Sequence, residues 1–131
     1  MKTTLGFAIV VCSLFLTSFR SAFSLDEVAT AIRSGDITML SPYLDNRVDI
    51  VLPDKSDTYS RNQAEMIIRD FFLTNGVRNF QIKQKGEQGS GSQFCMGILQ
   101  TLHGGNFKTM LFMKQKGDKQ FVQELRFQPV E

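Results

Sequence analysis

Few side chains in this sequence of 131 residues have the types and spacing that nucleophilic catalysis needs. Cys95 and His103 supply a thiol and an imidazole, which could form a nucleophile and its base if they were paired. They lie eight positions apart in one predicted strand, about 26 Å at the usual rise per residue, so they cannot share a hydrogen bond. One cysteine and one histidine are also too few ligands for zinc or another transition metal.

Carboxylates could instead hold a hard cation or move a proton. Asp45, Asp54 and Asp57 are acidic enough for a weak calcium site, but they lack the regular spacing of an EF-hand loop, and we interpret them as solvated turn residues. The glycine-rich stretch 86–91 neither leads from a strand into a helix nor carries a lysine, so it is not a phosphate-binding loop. These patterns predict no metal site, no cofactor and no catalytic residue.

Residues 1–24 have the three-part pattern of a secretory signal peptide. Lys2 supplies the positive charge, an apolar run extends from Leu5 to Leu16, and 22–24 is a small-x-small cleavage site. The run is shorter than the ~20 residues that cross a bilayer, and an uncleaved anchor is the alternative interpretation. We expect cleavage to leave residues 25–131 as one domain without a stable membrane span, exported to the periplasm or the extracellular space.

The domain that remains after cleavage has no net charge and one cysteine. Lys2 and Arg20 leave with the signal, so Lys+Arg falls from 15 to 13 against 13 Asp+Glu. Nucleic-acid-binding proteins usually have a basic excess that neutralises phosphates, and we therefore predict no nucleic-acid partner. Cys95 then has no second cysteine for an intrachain disulfide, and we expect it to pack as a small apolar residue.

An amphipathic helix between Ser60 and Gly76 is the strongest structural signal. Ser60 and Gln63 fit a capping box at its start, and Gly76 can adopt the left-handed conformation that ends helices. Its apolar residues recur at the spacing of one helix face: Ala64, Ile67, Ile68, Phe71 and Phe72. This stripe predicts that a sheet covers one side of the helix.

The remaining elements follow from hydrophobic period and turn residues. Before the long helix we predict a helix over 25–34 that stops at Gly35, a second helix that Asp36 caps and that runs to about 44, a strand over 48–52 that Pro53 ends, and a brief pairing strand at 58–59. After it we predict strands over 80–85, 93–102, 107–116 and 120–128, with a loop over 86–92.

Two turns set the registers of the last three strands. Gly104-Gly105 has the composition of a two-residue hairpin turn, which predicts three apolar cross-strand pairs: Met96 with Met113, Ile98 with Leu111, and Leu102 with Phe107. At Gly117-Asp118 two loop lengths are open. A two-residue loop puts Leu111 and Leu125 on opposite faces, whereas a three-residue loop pairs them, and we prefer the longer loop because it gathers the apolar residues on one face.

Several short runs resemble an exported bacterial family known as domain of unknown function 4783. They are SGD at 34–36, RVD at 47–49, LP at 52–53, TYS at 58–60, QAE at 63–65, RDFF at 69–72 and QELR at 123–126. The resemblance covers nearly all of residues 25–131 and implies an α+β fold of the nuclear transport factor 2-like superfamily. Such a fold is a cone in which three helices pack on a curved antiparallel sheet, here in the order ααββαββββ. The resemblance implies no established activity.

Isomerases of that superfamily provide a test for catalysis. They place a carboxylate base near the end of the first strand in a V-x-D-P context, and the comparable segment here is 50–53, where Leu52 cannot take a proton. They also use a tyrosine on the first helix and a protonated acid on the sheet, for which this sequence has no counterpart among the expected inward positions. Asp49 has the wrong alternation to face inward.

The two faces of the sheet suggest two binding surfaces. On the helix-facing side, amides and a hydroxyl interrupt apolar residues, and burying an amide without a partner costs about 1–3 kcal/mol. We therefore hypothesise a small apolar pocket for a small apolar ligand, formed by Tyr43, Gln100, Thr109 and Gln123. The alternative is that these residues lie at the mouth of the cone, exposed to solvent, and bind no ligand. On the outer side we predict an interface, for a homodimer or for another partner, formed by Leu99, Met110, Phe112 and Val122.

The sequence thus predicts an exported, non-catalytic binding or interaction module whose ligand the residues do not identify. The alternative is a small isomerase or hydrolase in which a carboxylate such as Asp49 or Asp70 turns into the cone.

Overall fold

Three helices pack against one side of a six-stranded sheet in a computed structural model that describes residues 24–130, apart from the side chain of residue 90. The described part of α1 is 24–34, α2 is Ile37–Leu40 and α3 is Arg61–Asn75, with a 3-10 turn at Ser41–Tyr43. The strands are β1 Leu44–Val51, β2 Ser56–Ser60, β3 Val77–Gln88, β4 Ser92–Thr101, β5 Asn106–Lys116 and β6 Lys119–Pro129. The predicted signal peptide lies outside the described residues except for Ser24.

The sheet order is β2-β1-β6-β5-β4-β3, which confirms the predicted meander of the last four strands. The sheet is mixed rather than antiparallel, because β1 runs parallel to β6 while every other pair is antiparallel. Register shifts interrupt the β1–β6, β3–β4 and β5–β6 ladders. Bulges of this kind bend strands and raise their twist, and they curve the sheet around the helices.

Helix α3 has the caps and the buried face that its sequence predicts. The Ser60 hydroxyl accepts a hydrogen bond from the Gln63 backbone N–H, and the Gln63 side chain accepts one from the Ser60 N–H. Gly76 follows the helix with φ +70°, and its N–H donates to the Phe72 carbonyl at 2.8 Å. The helix buries Ala64, Ile68, Phe71 and Phe72, with Ile67 half-buried.

Aromatic rings join α3 to the sheet. The Phe71 ring stacks on Phe127 of β6 with centroids 4.5 Å apart and meets the edge of Phe107 of β5 at 5.1 Å. Phe72 meets Phe127 edge-on at 6.3 Å. These arrangements are the favoured offset and edge-to-face geometries, and they add stabilisation to the burial of apolar area. Within residues 24–130 the hydrophobic core extends from Leu25 to Phe127.

Helix α2 is shorter than the sequence predicts. Asp36 caps it as expected, since its carboxylate accepts hydrogen bonds from the backbone N–H groups of Thr38 and Met39. The helix ends at Leu40 rather than near residue 44, because Pro42 has no N–H to continue the ladder. Leu44 is instead the first residue of β1.

The predicted register of the β4–β5 hairpin is wrong. Leu99 pairs with Phe107, Cys95 with Leu111 and Gln93 with Met113, a shift that turns Met96, Ile98 and Gln100 to the outer face. The cause is a five-residue connection, 101–105, between the paired Gln100 and Asn106, in place of a two-residue turn. The end of α3 holds this connection. The N–H of residue 102 donates to the carbonyl of residue 76 at 2.7 Å, and the N–H of residue 103 donates to the carbonyl of residue 75 at 2.9 Å.

The predicted pairing of Leu111 with Leu125 is confirmed, but its cause differs from the prediction. The turn at Gly117-Asp118 has two residues, since Lys116 pairs with Lys119. The extra residue is a bulge farther along β6, where the pairing passes from Phe112 with Glu124 to Met113 with Val122. The residues of β6 that precede the bulge lie on the sheet face opposite to the predicted one. Phe121 therefore points outward rather than inward.

Strand β3 continues through the residues that the sequence predicts to be a loop. It extends to Gln88, and only Gly89–Gly91 forms the connection to β4. Gly86 pairs with Phe94, whose ring occupies the space that a side chain on Gly86 would need. An aromatic ring that covers a strand glycine stabilises an edge strand, which explains how glycine is accommodated there.

No helix in residues 24–130 is long and apolar enough to span a membrane.

Candidate functional site

The residues of the hypothesised pocket do not share one hollow. Gln100 lies on the outer face, whereas Thr109 is fully buried on the helix-facing side, where its hydroxyl donates to the Phe107 carbonyl at 3.3 Å. Gln123 occupies the bulge of β6 and hydrogen-bonds Asp45. Tyr43 is half-buried in the 3-10 turn. Thr109 and Gln123 therefore have polar partners within the fold.

A different cleft opens at the end of the cone where β1 meets α3. Its volume is about 230 Å³, and we call it the α3 cleft. The β1–β2 turn forms one wall, the C-terminal half of α3 forms the other, and the first part of β5 contributes to the floor. The lining residues are Leu52, Pro53, Asp54, Lys55, Ile67, Asp70, Phe71, Thr74, Asn75 and Phe107.

Local contacts hold both walls of the α3 cleft. On one side the Leu52 N–H donates to the Lys55 carbonyl at 2.8 Å and closes the turn after β1. On the other side the Asn75 amide donates to the Phe71 carbonyl at 2.9 Å, within the last turn of α3. The loop between β4 and β5 fixes that same helix end through its backbone hydrogen bonds. A cleft with such walls is largely preformed, as ligand sites usually are.

The α3 cleft has an apolar floor and a charged rim. Phe71 and Phe107 are 8% and 5% exposed, so only a small part of each residue remains accessible. Asp54 and Asp70 contribute two carboxylates to the lining against the single ammonium of Lys55. Asp70 is exposed on α3. This arrangement suits an apolar group that carries a positive or hydrogen-bond-donating end.

The carboxylates that the alternative enzyme hypothesis needs are not inside the cone. Asp49 is exposed on the outer side of β1, where its carboxylate accepts a hydrogen bond from the Thr58 hydroxyl. Asp70 lies on the rim of the α3 cleft, and Leu52 occupies the end of the first strand. Neither acid is enclosed with the apolar core, so the structure offers no observation in favour of proton transfer there.

The burial of one acid was not predicted from the sequence. Asp45 is 5% exposed, not a solvated turn residue, and both its oxygens lie 2.8 Å from the Lys116 ammonium. Burial raises the pKa of Asp45, but hydrogen bonds from Lys116, the Asn46 N–H and Gln123, with the Lys116 charge, outweigh burial and lower it. Because 71 positions separate the partners, no local pattern could have revealed this structural pair.

Cys95 and His103 lie apart, as their spacing predicts. Cys95 is fully buried in β4, and burial raises the pKa of its thiol to about 11, so it is not a thiolate at neutral pH. His103 is exposed in the loop between β4 and β5. Across the described part of the chain, no group of three or more His, Cys, Asp or Glu residues could hold a metal ion.

The predicted interface is only half correct in its placement of residues. Leu99 and Val122 are fully buried on the helix-facing side, because the β4–β5 register and the β6 bulge both differ from the prediction. Met110 and Phe112 are half-buried on the outer face as expected. They belong to an apolar group that we call the outer patch, formed by Phe94, Met96, Ile98, Met110 and Phe112. The rings of Phe94 and Phe112 pair across the strands at 6.2 Å.

Comparison with known proteins supports the resemblance seen in the sequence. The family model described as "Domain of unknown function (DUF4783)" matches residues 25–128. No curated protein matches the chain.

Solved structures show the same family and the same fold. A DUF4783 family protein from Bacteroides uniformis ATCC 8492 is 27% identical, with a TM-score of 0.76 over 81% of this chain and 96% of that one. A DUF4783 family protein from Bacteroides ovatus ATCC 8483 is also 27% identical, with a TM-score of 0.75 over 80% of this chain and 94% of that one. An NTF2-like protein of unknown function from Cytophaga hutchinsonii ATCC 33406 is 7% identical, with a TM-score of 0.59 over 82% of this chain and 87% of that one. This last likeness concerns the fold alone and confirms the predicted cone.

Proposed function

The chain belongs to the DUF4783 family, and from this premise we propose that it is an exported, non-catalytic binding module whose α3 cleft takes a small amphipathic ligand. Export is supported by the signal pattern of residues 1–24, and the family match begins at residue 25, directly after the proposed cleavage site.

The observation that carries this proposal is the combination of size, floor and rim in the α3 cleft. Its volume of about 230 Å³ is below the roughly 300–1,000 Å³ of sites for drug-sized ligands, so it fits a single ring or a short aliphatic chain. Phe71 and Phe107 line the cleft and offer apolar contact to such a group. A positive end of the ligand then lies within reach of Asp70, whose charge discriminates against anions.

A matched pair of probes and a matched pair of variants test this proposal. The probes are 2-phenylethylamine and 3-phenylpropionate, which share a ring and differ in charge. Thr74→Trp fills the α3 cleft, whereas Leu73→Trp adds the same side chain at the neighbouring position, which is 74% exposed and does not line the cleft. Binding is followed by NMR titration of the labelled protein.

We expect the amine to bind with a Kd on the order of 1 mM, as the size of the fragment implies, and the acid to bind more weakly. Binding is lost in Thr74→Trp, retained in Leu73→Trp and weakened in Asp70→Asn. Equal binding of both probes, or a Thr74→Trp variant that binds like the unmodified protein, would contradict the proposal.

We also propose that two copies of the protein form a homodimer through the outer patch. Five large apolar side chains share one face, and no helix within residues 24–130 covers them. Contiguous patches of this kind mark interfaces. Light scattering should show a dimer that Phe112→Asp converts to a monomer. Leu73→Asp, which changes an exposed apolar residue on α3 in the same way, should leave the dimer intact. A monomer at high concentration in the unmodified protein would refute this interface.

A further inference from the structure

A second cleft lies at the opposite end of β5 from the α3 cleft, beside the start of α1. Its volume is about 290 Å³, and we call it the α1 cleft. It lies between the first residues of α1, the last part of β3 and the start of β4. Its lining residues are Leu25, Asp26, Lys85, Gly86, Glu87 and Gln93.

Gln93 provides the α1 cleft with an unused hydrogen-bond acceptor. The residue is 6% exposed, and its amide nitrogen donates to a Glu87 carboxylate oxygen at 3.3 Å. That bond fixes which amide atom is the oxygen, and within residues 24–130 no donor reaches the Gln93 Oε1. A buried acceptor without a partner is costly, so a donor group placed in the cleft would stabilise the protein.

The charges around the α1 cleft favour a positively charged donor. Asp26 of α1 forms an ion pair with Lys85 of β3, with 2.9 Å between the ammonium nitrogen and Oδ1. Glu87 lies beside Gln93 and adds a second carboxylate to the lining. A carboxylate oxygen and an amide oxygen together are the acceptors that a primary ammonium group binds, since it has three donors and no acceptor.

We propose that the α1 cleft binds the α-ammonium group of Leu25, which signal cleavage after Ser24 creates. Leu25 lines the cleft together with Glu87 and Gln93, so cleavage creates the ammonium group on a residue of the same cleft. A positive charge at the first residue of a helix opposes the helix dipole, and Glu87 and Gln93 offset that cost. The proposal rests on the proposed export, and it makes the mature N-terminus a structural element that ties α1 to β3.

Two proteins that differ only in the first residues test this binding. One is released from a fusion by a protease that leaves Leu25 at its N-terminus, and the other retains Phe23 and Ser24 in front of it. At pH 7 the protein that begins at Leu25 should melt about 2–5 °C higher, the size expected of a partly exposed charge interaction in a domain of this length. The difference should disappear above about pH 9, because the ammonium group loses its proton there.

Three variants assign the difference to the α1 cleft. Glu87→Gln and Gln93→Leu should each reduce it below about 1 °C. Gln120→Leu is the control, because Gln120 is 4% exposed and also has an unpartnered Oε1 but does not line the cleft, and it should leave the difference unchanged. If Gln93→Leu does not fold, the exposed Glu87 position decides alone.

The ionisable groups around the proposed ammonium site are Asp26 and Glu27 on α1, Lys85 and Glu87 on β3, and the buried thiol of Cys95 on β4.

Equal melting temperatures of the two proteins would overturn the binding proposal. So would a difference in melting temperature that persists at high pH or that Glu87→Gln leaves intact. Mass spectrometry of the exported protein tests the cleavage separately. An N-terminus other than Leu25 would overturn the role of maturation, while the fusion-derived proteins still decide the binding chemistry.

Discussion

Replacing Phe127 by alanine should destabilise the protein far more than replacing Phe121, although both phenylalanines are on β6. Phe127 is fully buried, stacks on Phe71 at 4.5 Å and meets Phe72 edge-on at 6.3 Å. Phe→Ala in a core typically costs about 3–5 kcal/mol, a large share of the roughly 5–15 kcal/mol that stabilises a domain. Phe121 lies on the other side of the bulge, faces outward opposite Lys114 and is half-buried, so its loss should cost less than about 1 kcal/mol.

Urea unfolding followed by far-UV circular dichroism measures both changes. With a denaturant dependence of about 1.5 kcal/mol per molar, the Phe127→Ala midpoint should fall by about 2–3 M and the Phe121→Ala midpoint by less than about 0.7 M. A double-mutant cycle of Phe127→Ala with Phe71→Leu should give a coupling of about 0.5–1.5 kcal/mol. Equal losses for the two alanine variants would refute the β6 bulge, because without it both rings would face the helices.

Three further predictions concern single sites. Gly97→Ala should destabilise the protein by about 1–3 kcal/mol in the same urea assay, because the new methyl group would lie 2.5 Å from a backbone oxygen of β3. Gly89→Ala is the control and should be neutral, because a methyl group there meets nothing within 4 Å. Because Asp45 has a lowered pKa in the folded protein, its stabilising contribution is present above about pH 4 and is lost as pH falls. Lys116 is 44% exposed and solvent screens its charge, so calorimetry of Lys116→Met should show a loss of about 0.5–1 kcal/mol at pH 7 that shrinks at low pH. Cys95 should resist iodoacetamide at pH 8 in the folded protein and react once urea unfolds it, as mass spectrometry would show, because it is buried and its pKa is raised to about 11.

The elements with strong local signals could be predicted from the sequence. The stripe that includes Phe71 and Phe72, the capping box at Ser60 and the positive φ of Gly76 all follow from the chemistry of neighbouring residues. The Leu111–Leu125 pair was also predictable, because burying both residues outweighs the details of the turn. Such signals fix the α+β class and the element order.

Features that depend on distant parts of the chain could not be predicted in this way. The parallel pairing of β1 with β6 has no local signature, and the β4–β5 register follows from hydrogen bonds between a loop and the end of α3. That single register error exchanged the faces of β4 and misplaced both Gln100 and Leu99. The two walls of the α3 cleft were each visible in the sequence, as the Leu52-Pro53 strand end and the α3 stripe, but their proximity is a tertiary property.

The proposed function depends most on the α3 cleft as the place where a ligand binds. Intermolecular NOEs between the ring protons of 2-phenylethylamine and the protein test it directly. We predict NOEs to the ring protons of Phe71 and Phe107 and to the methyl groups of Ile67, all of which line the cleft. NOEs confined to Phe94 and Phe112 of the outer patch, or none at all at millimolar probe, would contradict it.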